Sequence, residues 1–150
     1  MIEFAATSVI TVSSALLFAY WYRYTCLLIL NAKTTRDYAG EVARANQLSF
    51  RDVQTQLRDG ASADLDRLQK SLDRDYALLT FLFRNATGVQ SENRLEDRML
   101  QVDYRMMGAW YRISRRFSAQ AARLALEEMS NVVAHFANAM GERAACSAAA

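Results

Sequence analysis

Residues 4–22, FAATSVITVSSALLFAYWY, form the longest uncharged run in the chain. As a helix they span roughly 28 Å, about the thickness of a bilayer's hydrocarbon core. A cleaved signal peptide has a basic start and a small-residue cleavage site. Here Glu3 is the only charged residue before the run, and Ala19-Tyr20-Trp21-Tyr22-Arg23 puts bulky aromatics where a peptidase needs small side chains. Aromatic rings followed by an arginine suit a membrane interface, where both settle beside the headgroups. The run therefore reads as a transmembrane helix. Cys26-Leu27-Leu28-Ile29-Leu30 prolongs it by a further turn, so its end falls between Tyr22 and Asn31.

The flanks set an expected orientation. No Lys or Arg precedes the run, whereas Arg23, Lys33, Arg36 and Arg44 follow it. Positive charge stays on the cytoplasmic side. The expected topology is N-terminus out and C-terminus in, in a cell inner membrane, with an organellar inner membrane as the other possibility. Within the run Thr7, Thr11, Ala15 and Ala19 recur every fourth residue, a small-residue ladder that permits close packing of a second transmembrane helix. No ionisable group lies within the run, so it carries no sign of an ion pathway.

The 150 residues are 52% hydrophobic with a mean hydropathy of −0.10, the average of a lipid-facing part and a water-facing part. Beyond the anchor there is room for one modest domain. A net charge of +2 points to neither nucleic-acid nor membrane-surface binding. Cys26 and Cys146 lie near opposite ends and make neither a metal-binding spacing nor a disulfide framework.

With no proline and five glycines, the body suits long helices. Gly60 and Gly88 read as helix stops, and Ser62 and Ser91 as caps for the helices that follow. The expected fold is all-α: a single N-terminal transmembrane helix, then an antiparallel helical hairpin or three-helix bundle with one long C-terminal helix. Residues 1–3 are a short extracytoplasmic start, 4–30 the anchor and interfacial turn, and 31–143 a helical cytoplasmic domain with helices over 33–58, 62–87 and 91–143. Residues 144–150 are a disordered tail. Ser49-Phe50-Arg51-Asp52 resembles a fresh helix start that divides the first of these helices.

Helix 62–87 carries Leu65, Leu68, Leu72, Tyr76, Leu79, Phe83 and Ala86 at alternating spacings of three and four, a seam that needs a partner. Helix 91–143 offers Leu95, Met99, Val102, Met106, Trp110, Ile113, Phe117, Ala121 and Leu124, spaced on average about 3.6 residues apart. At roughly 75 Å this helix outruns its neighbour of roughly 40 Å. Met129, Val132, Phe136 and Met140 therefore need other cover, partly from Tyr38, Val42, Val53 and Leu57 and otherwise from a second copy or another subunit.

Arg94, Arg98, Arg105, Arg112, Arg116 and Arg123 fall within a sector of about 40° on the same helix. Such a stripe either pairs with Asp64, Asp66, Asp73 and Asp75 of helix 62–87 or simply faces water, or else docks acidic protein segments or anionic lipid headgroups, which arginine binds in a bidentate manner. Neither composition nor pattern points to nucleic acid.

Catalytic machinery is not apparent. His135 is the only histidine, no Glu-x-x-His pair suggests a di-iron bundle, and there is no P-loop, dinucleotide fingerprint or nucleophile elbow. No cofactor or metal is implied. The expectation is a non-enzymatic accessory, scaffold or assembly subunit of a membrane complex, working by helix–helix and arginine-stripe docking. The alternatives are a membrane-tethered signalling module, disfavoured by the few residues ahead of the anchor, and a small membrane enzyme with a borrowed cofactor.

Overall fold

The computed structural model describes residues 1–32, 36–60, 64–85 and 94–149. Among the described residues there are six helices and no strand: α1 (Ile2–Asn31), α2 (Ala39–Ala45), α3 (Phe50–Arg58), α4 (Leu65–Asn85), α5 (Arg94–Ser114) and α6 (Ala119–Ala149). The chain divides into two compact units, residues 1–33 and 34–150.

The first unit is α1. Its most apolar stretch has a mean hydropathy of 1.5 with none of that stretch buried, so α1 is long and apolar enough to cross a membrane. Its hydroxyls do not demand solvent, since Thr7 and Thr11 donate to the carbonyls of Glu3 and Thr7 at 2.8 Å each, and Ser8 to that of Phe4 at 2.7 Å. Hydroxyls bonded four residues back are compatible with hydrocarbon.

The second unit is a bundle organised on α6, which packs against α2, α3, α4 and α5. Ala122, Leu126, Met129, Val132, Val133, Phe136 and Ala137 of α6 are buried on more than one side of the helix. A helix wrapped by neighbours has no need of a polar face along its middle. Met129, Val132 and Phe136 are thus core residues and Met140 is half-buried. The expectation that this face awaits a separate partner is corrected: α2 to α5 of the same chain cover it.

The long helix expected over 91–143 is two helices. Residues 115–117 form a turn in which Phe117 and Ser118 donate to the carbonyl of Ser114 at 2.9 and 2.7 Å. Ser118 then caps α6, its hydroxyl accepting from the Ala121 N–H at 3.2 Å. Two serines four apart offered the backbone an alternative to helix. The fold-back lays α6 alongside α5, which is why the apparent excess length never needed an external partner. Helix α6 also continues to Ala149, through the residues read as a disordered tail.

The helix expected over 33–58 is divided where the sequence suggested. Gln47 adopts a left-handed φ of 52°, and the Leu48 N–H reaches back to the Ala43 carbonyl at 2.9 Å while its side chain is buried, a Schellman stop for α2. Ser49 opens α3 by donating its backbone N–H and hydroxyl to the buried Asp75 carboxylate, at 2.6 and 3.1 Å. An acid on α4 therefore caps α3 across the bundle. Gly60 takes a φ of 63° just past the end of α3, consistent with a helix stop. Ser62, Ala86, Gly88 and Ser91 lie outside the described residues. Within them, Asp64 caps α4, accepting from the backbone N–H groups of Asp66 and Arg67 at 3.2 and 3.4 Å.

At Gly141 α6 is crossed closely by the start of α2. A Cβ there sits 2.3 Å from that of Tyr38. Asn138, one turn earlier, accepts the Tyr38 N–H at 2.7 Å.

Candidate docking surface on α5

The seam of α4 faces inward as its spacing suggests: Leu68, Leu72 and Leu79 are buried, and Leu65, Tyr76 and Phe83 half-buried. Helix α5 runs antiparallel to α4, but it does not present the stripe that looks most apolar. Its core face is Leu100, Asp103, Tyr104, Met107, Tyr111 and Ser114. Tyr104 stacks on Tyr76 with ring centroids 3.9 Å apart and donates to Asp73 at 2.9 Å, while Tyr111 donates to Asp66 at 2.8 Å. Burial, then the adjacent carboxylates, push both phenols above the ordinary tyrosine range, so they remain neutral donors. At the far end Arg143 of α6 pairs with Asp97 at 3.2 Å and lies over the Phe83 ring at 4.2 Å.

The stripe expected to pack on α4 faces outward. Leu95, Val102, Met106, Trp110 and Ile113 are exposed, Trp110 at 50% and Phe117 in the turn at 84%; Leu124, on α6, is exposed as well. This corrects the sequence reading, and the reason is polar. The inward face buries two tyrosines whose hydroxyls find aspartates on α4, so the fully apolar stripe is left for the outside.

The arginines divide likewise. Arg98, Arg105 and Arg112 are exposed on α5, roughly 90° around the axis from the apolar row. Arg116 is exposed in the turn. None of these four makes an ion pair among the described residues. Arg123 belongs to α6, where it donates to the Gly60 carbonyl at 3.5 Å, and the Arg94 side chain lies outside the described residues. The aspartates expected to neutralise the stripe are otherwise engaged: Asp66 by Tyr111 and Arg115, Asp73 by Tyr104, Asp75 by Ser49. Arg115, absent from the expected stripe, is the arginine that bonds across the hairpin. From Leu95 to Phe117 every exposed residue is apolar or arginine.

A cleft of about 100 Å³ among Gln54, Leu57, Arg58, Glu127 and Asn131 is too small to enclose an ordinary substrate. Among the described residues no group of His, Cys, Asp and Glu is placed to hold a metal. His135 is half-buried, its pKa held below the usual value by burial against the opposing pull of Asp97, Glu96 and Glu142. Neither Cys26 nor Cys146 is in a disulfide.

The ladder residues Thr7, Thr11, Ala15 and Ala19 are exposed along α1. Comparison with protein-family models, curated proteins and solved structures finds no match to this chain.

Proposed function

We propose that the protein is a single-pass, membrane-anchored helical accessory subunit that scaffolds or assembles a membrane complex without catalysis of its own. The reading rests on α1, long and apolar enough to cross a membrane, together with the outward face of α5. An exposed apolar stripe, flanked by arginines that make no ion pair among the described residues, supports a surface made for association. Helix α1 supports the anchor through its length and hydropathy. Arg23, Lys33, Arg36 and Arg44, which follow in sequence, support an N-out, C-in orientation in a cell inner membrane. Thr7, Thr11, Ala15 and Ala19 give α1 a side narrow enough for another transmembrane helix.

Alkaline carbonate extraction of membranes and native mass spectrometry of the detergent-solubilised assembly test the proposal. The expected result is retention in the membrane fraction and a stoichiometric foreign subunit. A chain released by carbonate, or one found alone with a small cofactor bound, overturns it.

A further inference from the structure

We infer that the outward face of α5 and its following turn form an anionic-lipid-binding surface, with Leu95, Val102, Met106, Trp110, Ile113 and Phe117 entering the headgroup boundary and the neighbouring arginines binding lipid phosphates. The inference rests on the membrane-anchored reading above and names what this face meets, leaving α1 as the surface for helix–helix contact within the bilayer.

Three observations favour lipid over other occupants. The first is composition. A helix face built only from apolar side chains and arginine, with a tryptophan at its middle, matches the layered chemistry of an interface, where acyl chains lie beneath a sheet of phosphates. The second is charge. A second copy of this face would bring arginines against apolar residues and arginines, and the acids between Leu95 and Phe117 are the half-buried Glu96, the Arg143-paired Asp97 and the buried Asp103, so the surface is poorly self-complementary. Arg98, Arg105, Arg112 and Arg116 are free of ion pairs among the described residues, leaving their guanidinium groups available for bidentate phosphate contacts. The third is tethering. Residues 32–38 connect α1 to α2 and reach at most about 25 Å, so an anchored chain presents its helical domain to the bilayer surface at high effective concentration. Weak individual contacts then suffice. An acidic amphipathic helix from another subunit matches the charge but gains nothing from this tether.

Trp110 makes the test direct, because Trp21→Phe leaves it the only tryptophan in the full-length chain. The protein is reconstituted in phosphatidylcholine vesicles with and without phosphatidylglycerol, and Trp110 is quenched from water by acrylamide and from the bilayer by brominated acyl chains. The expected result is a blue-shifted, lipid-quenched Trp110 in the anionic vesicles, reverting at high salt, and a water-quenched Trp110 in the neutral ones. Each arginine contributes about fivefold to the ratio of docked to undocked Trp110, so R98Q/R105Q/R112Q, which only removes charge, lowers it on the order of a hundredfold. Unchanged far-UV helicity accompanies that loss, and the R98E/R105E/R112E chain, which reverses the charge, shows a larger loss in the same direction.

Equal protection in both vesicle types, or a water-exposed Trp110 in both, overturns the inference. So does protection that appears in detergent with rising protein concentration, which assigns the face to a second copy, or protection found only while a foreign subunit stays bound. Carbonate treatment of the same vesicles separates the two readings. A chain that is retained while Trp110 stays in water defeats the lipid assignment alone, whereas a chain that is released removes the anchor and this inference with it.

Discussion

Helices α4 and α5 are both 21 residues long and lie antiparallel, yet they turn their most apolar sides in opposite directions. On α4 the leucine seam is the core. On α5 the comparable stripe faces water, while a mixed face of Leu100, Tyr104, Met107 and Tyr111 holds the bundle. The difference teaches that apolar spacing states only that a face is fit for burial. Which face is buried in the folded chain depends on what the neighbour offers, and α4 offers Asp66 and Asp73, which suit tyrosine hydroxyls. Once those bonds form, the second apolar side of α5 remains for a partner outside the chain.

Truncation should separate the two helices most sharply. Leu72→Ala on α4 removes a fully buried side chain and is expected to cost about 2–5 kcal/mol. Ile113→Ala on α5 is expected to change stability by no more than about 0.5 kcal/mol. Denaturant midpoints of the full chain in detergent check both, and a large loss at Ile113 breaks the comparison. Next in size is Gly141→Ala, whose new methyl collides with the Cβ of Tyr38 and should cost about 1–3 kcal/mol, read in the same titration. It probes whether α6 is the centre on which the other helices rest.

A smaller effect sharpens the account of the inward face of α5. Tyr104→Phe and Tyr111→Phe each delete a hydroxyl bonded to an aspartate and should lose about 0.5–1.5 kcal/mol. The loss at Tyr111 should be the lesser, because Arg115 still engages Asp66. The same phenols are pushed up by burial, so their contribution holds below pH 10 and fades as the unfolded chain releases the protons that the fold retains.

The smallest effect concerns His135. Burial favours its neutral form, so the unfolded chain binds the proton more readily than the folded one. Stability is therefore full above the ordinary histidine value of 6.5 and declines as pH falls below it. Midpoints measured from pH 7.5 to 5 should show this decline, and His135→Gln should flatten it.

Much of the fold is legible in the residues. The uncharged run marks α1, the three–four spacing places the α4 core, and Ser49-Phe50 marks the start of α3. The break at 115–118 was harder to see because it uses neither glycine nor proline, only Ser114 and Ser118, whose turn and cap bonds become visible once the chain folds back. A signal for the inward face of α5 was also present: Leu100, Tyr104, Met107, Tyr111 and Ser114 alternate by four and three, in step with the α4 seam. A stripe of larger hydrophobicity on the same helix competes with it.

By itself the sequence determined that this chain is helical, that α1 is apolar enough for a bilayer, and that α5 carries more than one face worth covering, since these follow from local periodicity and side-chain transfer energies. Only the tertiary structure decided that Met129, Val132 and Phe136 are already covered and that Arg98, Arg105, Arg112 and Arg116, without an ion pair among the described residues, lie beside an open apolar row. The physical reason is competition. Each buried face and each aspartate has several suitors along the chain, and the outcome depends on which of them the fold brings within hydrogen-bond and packing distance.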